Sequence, residues 1–180
     1  MMVPQVKLIN YATAIDDLME ELGFDAELTP RFWEFADVTF LVVKISRSTA
    51  AQLTRMHQTS FAIQSHMITD VSDATWDNPY DPFASPGEQD NLYGMFERSM
   101  RSAVDRYKAL LCEGATLKDA SDVLPAGLHC NIVVKYNLWD LSELIRNSNS
   151  IRLQGPHQSI INQMKALVME AWPWSADILK

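Results

Sequence analysis

Gln52 and Arg55, three residues apart, are the polar pair in this sequence best placed to do chemistry. At that spacing they share one face of a helix. An arginine so placed can fork onto a pair of carbonyl oxygens or a phosphate. The same pair also reads as an ordinary solvated amide and arginine. The other reactive side chains are scattered. Four histidines, His57, His66, His129 and His157, would have to converge with carboxylates or thiols to hold zinc, and no metal site is expected. Cys112 falls on the apolar stripe of a long helix and reads as a small core hydrophobe. Cys130 follows His129, but neighbours on a strand point to opposite faces, so no direct thiolate–imidazole pair is expected. The chain has no G-x-G-x-x-G, P-loop, H-E-x-x-H or C-x-x-C pattern.

These side chains must be positioned by local elements that the sequence also predicts. Val6 to Tyr11 alternates like a half-buried strand, and Ala14 to Leu22 carries a helical apolar spacing closed by Gly23. Val38 to Ile45 is β-branched and aromatic, hence a strand. Ser48 is expected to cap a helix reaching about Arg55, and Thr59 to His66 to form another strand. Residues 72–90 hold Asn78-Pro79, Asp81-Pro82 and Pro86-Gly87, which predict a long loop, mobile or folded over a pocket. From Asn91 to Glu113 runs the longest helix signal, with Phe96, Val104, Tyr107 and Leu111 expected to be buried and Gly114 as its stop. Thr116 then caps a short helix. Leu128 to Tyr136 reads as a strand, Leu138 to Ile145 as a helix and Gln158 to Trp172 as the last helix. Strands and helices interleave without a regular βαβ rhythm. The predicted class is therefore α+β, a single domain over residues 1–180 with a mixed or antiparallel sheet covered by helices.

Composition bounds what this fold can do. The 180 residues are 47% hydrophobic and 21% charged, which is globular rather than disordered. Fifteen basic residues stand against 23 acidic ones, for a net charge of −8. That disfavours a grip on a nucleic-acid polymer, which needs a basic surface, but a few arginines can still reverse the field in one pocket. No apolar run approaches the ~20 residues of a membrane span. The first residues lack the basic and apolar regions of a signal peptide, so a cytoplasmic protein without a membrane partner and with reduced cysteines is expected.

The stretch around Gln52 resembles the signature region of the flavin-dependent thymidylate synthases, S-R-x-x-x-x-Q-L-x-R-H-R-x-x-S-x-N-E-x-S-x-R-Y. Ser46, Arg47, Gln52, Leu53, Arg55, Ser60 and Ser65 stand at its S, R, Q, L, R, S and S. Tyr107 to Gly114 with Asp119 to Pro125 resembles the helix, glycine and D-A-R-x-V-L-P element. Val134 to Leu141 resembles T-x-N-x-R-x-L. Ile151-Arg152 followed by Gln158, and Trp172-Pro173-Trp174, match later blocks in family order. The resemblance covers about residues 6–180. It implies a homotetramer with shared sites and a pyrimidine nucleotide substrate. It implies FAD as cofactor, NADPH as reductant and 5,10-methylenetetrahydrofolate as one-carbon donor. Residue by residue, it puts Gln52, Arg55, Ser65 and Arg152 against the nucleotide, with Ser65 and Arg152 nearest the chemistry. Arg55, His57 and Asn137 take flavin-contacting positions.

The departures from the pattern bear on function. The R-H-R triplet is Arg55-Met56-His57, the N-E pair is Ala62-Ile63, and the R-Y pair is Met67-Ile68. The arginine of D-A-R is Ser121, and the arginine after the Asn is Trp139. About four residues, 147–150, stand as a polar insertion before Arg152. Losing the partners of an anion in a buried pocket costs roughly a few kcal/mol each, so flavin affinity below the family norm is expected. Two classes of function follow. One is flavin- and folate-dependent transfer of a one-carbon unit to C5 of a pyrimidine nucleotide, from dUMP to dTMP or to a hydroxymethyl variant. The other is a non-catalytic homologue that binds nucleotide or regulates.

Overall fold

A computed structural model describes residues 4–12, 17, 20–21, 33–55, 60–80, 89–148 and 156–179. In chain order they form β1 (Gln5–Tyr11), β2 (Asp37–Ser46), α1 (Arg47–Leu53), β3 (Ser60–Ile63) and α2 (Gln89–Cys112). Next come α3 (Leu117–Ser121), β4 (His129–Asn137), α4 (Leu138–Ser148), α5 (Pro156–Ala171) and a 3-10 turn, Pro173–Asp177. The strands make one sheet in the order β1-β2-β4-β3. β1 pairs antiparallel with β2, and β3 antiparallel with β4. This is an α+β fold with an antiparallel sheet, as the sequence predicts. Of the expected first helix, only Asp17, Glu20 and Glu21 are described, and they are helical.

Contacts gather the chain into two compact units. The first comprises Lys44–Ser48 and the described residues of Gln64–Cys130. The second comprises Val3–Val43, Thr49–Ile63 and Asn131–Lys180. In the second unit the core comes from period-two burial. Val38, Phe40 and Val42 of β2 are buried, as are Ile132, Val134 and Tyr136 of β4. α5 buries His157, Ile160, Ile161, Met164 and Val168, an i, i+3, i+4, i+7, i+11 stripe. Gln163 of α5 accepts from Val6 N (3.2 Å) and donates to Pro4 O (3.0 Å), which ties the helix to β1.

The first unit is built on α2. Val71, Tyr107 and Ala120 form one buried cluster; Met100, Val104 and Leu128 form another. α2 closes on a Schellman pair, Ala115 N to Leu110 O and Gly114 N to Leu111 O, both 3.0 Å. Gly114 at φ +92° supplies the left-handed turn this needs. Thr116 then caps α3 by accepting from Asp119 N at 3.2 Å. In β2 the burial alternation slips by one residue between Val42 and Ile45. Lys44, at φ 57°, absorbs the extra residue in a left-handed conformation that a side chain adopts at a cost of roughly 1–2 kcal/mol.

Several expectations are corrected. α1 begins at Arg47, so Ser48 lies inside the helix and its hydroxyl pairs with Ser46 Oγ at 2.8 Å. β3 is four residues long, and His66 falls in the turn after it. α2 begins at Gln89, two residues before the expected start. Val104 and Tyr107 are buried as expected, but Phe96 and Leu111 are half-buried, while Leu92, Met95 and Leu110 face solvent. Cys112 is exposed rather than core. It follows Leu111 by one residue, a rotation of about 100°, which takes it off the packed face. Of the expected insertion 147–150, Asn147 and Ser148 extend α4, and 149–150 lie outside the described residues. The Ser148 hydroxyl donates to Ile145 O at 2.6 Å and accepts from Gln158 Nε2 at 3.2 Å.

Candidate functional site

In the second unit α1 ends in a turn, with Thr54 N bonded to Ala50 O and Arg55 N to Gln52 O (3.3 Å). Gln52 is half-buried and Arg55 exposed, so an amide and a guanidinium leave the same helix end. The turn is fixed from the sheet. Tyr136 of β4 is fully buried, and its hydroxyl donates to Leu53 O, between those two residues, at 2.6 Å. Burial, then the negative charge of Asp140, pushes the Tyr136 phenol far above its ordinary pKa, so it is always a donor. Sequence reasoning missed this anchor. Its only sequence signal is a tyrosine in phase with Ile132 and Val134.

Asn137 follows Tyr136 and ends β4. Its Oδ1 accepts from Asp140 N at 2.7 Å, which makes it the N-cap of α4 with an acid at N3. Trp139, in the place of the family's arginine, has Trp33 at 5.8 Å between ring centroids and the Arg146 guanidinium at 5.9 Å from its ring centre. Arg146 also bonds Ser142 Oγ (3.1 Å) and Glu143 of its own helix.

In the first unit Ser65 is half-buried and its Oγ accepts from Met67 N at 3.2 Å, closing a local turn. Met67 and Ile68, at the R-Y positions, are exposed, Ile68 by 80%. Ser121 Oγ donates to Lys118 O at 2.7 Å. The described part of the 72–90 segment is held. Asn78 and Trp76 both donate to Glu97 Oε1 at 3.1 Å, and Thr75 and Asp77 meet His129. His66, His129 and, in the second unit, His157 are buried, and burial holds all three below the ordinary histidine pKa. Among the described residues no group of three or more His, Cys, Asp or Glu is placed to hold a metal ion, and no helix is long and apolar enough to cross a membrane.

Of the six residues expected at the site, Gln52 and Arg55 share one helix end, and Asn137 follows the tyrosine that holds it. Ser65 belongs to the other unit. His57 and Arg152 lie outside the described residues, as does Met56.

The sequence model of the family described as thymidylate synthase complementing protein matches residues 10–174. The chain belongs to this family. Relatives agree with it. The chain is 33% identical to a flavin-dependent thymidylate synthase of Saccharolobus solfataricus over 129 residues, 70% of this chain and 48% of the relative. It is 32% identical to one of Sulfurisphaera tokodaii over 108 residues, 60% of this chain and 40% of the relative. It is 28% identical to one of Geobacter sulfurreducens over 164 residues, 89% of this chain and 66% of the relative. The chain spans about half the length of the first two. Family membership raises the question of a flavin, for which the described residues offer fewer polar contacts than the family pattern implies. The Asn137 side-chain oxygen caps α4, and the cation expected two residues later is a tryptophan packed beside Trp33.

Proposed function

We propose that the chain binds a pyrimidine nucleotide at the end of α1 and serves transfer of a one-carbon unit to C5 of its base, from dUMP to dTMP or to a hydroxymethylated product. The observation that carries this reading is the Gln52–Arg55 turn, clamped by the Tyr136 hydroxyl on Leu53 O, in a chain of this family. The Gln52 amide has both a donor and an acceptor for the polar edge of a pyrimidine. The Arg55 guanidinium forks onto a phosphate or carbonyl pair. Ser65 and Arg152 complete the nucleotide contacts in this reading. Arg152 donates charge-assisted bonds to a pyrimidine carbonyl that strengthen as C5 becomes nucleophilic. The relatives are named flavin-dependent. On this reading a weakened FAD site fed by NADPH, a methylenetetrahydrofolate donor and a homotetramer with shared sites go with them. The exposed apolar side chains Leu92, Met95 and Leu110 of α2 support such an assembly.

One observation favours a second reading, a nucleotide-binding homologue without catalysis. The Asn137 oxygen is engaged inside the fold, and Trp139 stands in place of a cation. Calorimetry with dUMP tests the nucleotide site. Arg55→Ala and Arg152→Ala are expected to weaken binding by 10-fold or more, about 1.4 kcal/mol each. Arg146→Ala, whose guanidinium already bonds its own helix, is expected to leave affinity unchanged. Equal affinity in wild type and Arg152→Ala would overturn the role given to Arg152. FAD titration followed by flavin fluorescence separates the two readings. Saturable binding supports the enzyme, and none at high micromolar FAD supports the homologue.

A further inference from the structure

Where β4 begins, in the first unit, an extended segment runs beside it. His129 N donates to Thr75 O at 2.9 Å, and Trp76 bridges Leu128. Alternation puts Thr75 and Asp77 on the same side of that segment, and both reach the His129 ring. Thr75 Oγ1 is 2.9 Å from Nδ1, and Asp77 Oδ2 is 3.4 Å from Nε2. The His129 side chain is 6% exposed and the Asp77 side chain 20%, whereas Thr75 stands on the surface.

The three groups fix each other's protons. An ionised carboxylate only accepts, so the proton facing Asp77 sits on Nε2. Nδ1 of the neutral ring is then an acceptor, and the Thr75 hydroxyl must donate to it. A surface hydroxyl has water available and needs no such partner. Here it is aimed at a base whose other nitrogen is held by an acid. Burial keeps the ring neutral near pH 7. This is the arrangement of nucleophile, base and orienting acid that activates a hydroxyl.

We propose that Asp77, His129 and Thr75 form a nucleophilic site that takes an acyl group from an activated ester of a small carboxylic acid. Thr75 Oγ1 attacks the acyl carbon and forms the new C–O bond while its proton passes to His129 Nδ1. The tetrahedral adduct collapses, the bond to the leaving alkoxide breaks, and that oxygen takes the proton from Nδ1. Water, deprotonated by the same nitrogen, then attacks the acyl-threonine. The threonine oxygen leaves with the proton, which gives a carboxylic acid and the free hydroxyl. Lys44 lies close enough for its charge to act on His129, and Arg47 likewise on His66, whose Nε2 is 3.3 Å from His129 O. The Lys44 charge near the ring favours an anionic acyl group.

The test mixes the whole chain with the mono-4-nitrophenyl ester of succinic acid. The expected result is a stoichiometric burst of nitrophenolate and a succinyl group mapped by mass spectrometry to the peptide holding Thr75. Thr75→Ala abolishes the burst and Thr75→Ser retains it. His129→Gln slows acylation by about 10²–10⁴. In wild type the burst rate is half-maximal below pH 6.5, because the ring must be neutral and its pKa is lowered. The groups facing the ring are Asp77, Thr75, Lys44 and, at its backbone, His66. Asp77→Asn removes the charge that raises the His129 pKa, so the midpoint moves lower still, which loss of a merely structural bond would not cause. A wild-type burst no larger than that of Thr75→Ala, or label on lysines alone, overturns the proposal.

Discussion

At the scale of single residues, Tyr136 and Asn137 are neighbours with divided labour. One hydroxyl holds the helix end that carries Gln52 and Arg55, and one amide oxygen starts the next helix. Tyr136→Phe keeps the ring and its packing but leaves Leu53 O without its donor. A buried group that loses its partner costs about 1–3 kcal/mol, so urea unfolding of the variant should show a loss in that range. Looser nucleotide binding should accompany it if the turn is the nucleotide site. Gln52 and Arg55 were legible as a pair because helical spacing is local. Tyr136 was not, because its partner is 83 residues away in the chain.

At the scale of elements, the junction between α2 and α3 shows local rules holding without correction. Gly114 and Thr116 stand where a helix must stop and the next one start, and the Schellman bonds and the Thr116 cap follow. Gly114→Ala forces a side chain into φ +92° and should destabilise by about 1–2 kcal/mol, although nothing lies within 4 Å of the added carbon. Thr116→Ala should cost about 1 kcal/mol through the lost cap. Thermal melts of the two single variants and the double variant check both values. The face of α2 was less legible than its ends. The apolar spacing from Leu92 to Leu111 is nearly continuous, and only the neighbours chosen by the fold decide that Val104 and Tyr107 pack while Met95 and Leu110 do not.

At the scale of the whole molecule, three buried histidines set the response to acid. His66, His129 and His157 all have pKa values lowered by burial. The unfolded chain therefore binds protons near pH 6.5 that the folded chain refuses. Their contribution to stability is complete above pH 6.5 and is lost progressively as pH falls from there toward the depressed folded values. Calorimetry through that window should show Tm dropping on the acid side. His157 has no partner on either ring nitrogen among the described residues, so His157→Leu should flatten the drop without lowering Tm above pH 6.5.

The sequence by itself determined the elements and their order. It also determined the α+β class, the family and the caps at Gly114 and Thr116. Each of these rests on neighbours within a few residues, or on motifs in a fixed order. Only the tertiary structure decided what the polar residues face. Asn137 caps α4, because the next residues turn directly into a helix whose first N–H groups need an acceptor. Cys112 matched a core stripe and proved exposed, because packing selects one face of a helix and a one-residue step leaves it. His129 read as an isolated histidine, and the fold brought Thr75 and Asp77 to its ring. Pairings across 52 or 54 residues come from sheet register and loop return, which no local pattern in one sequence encodes.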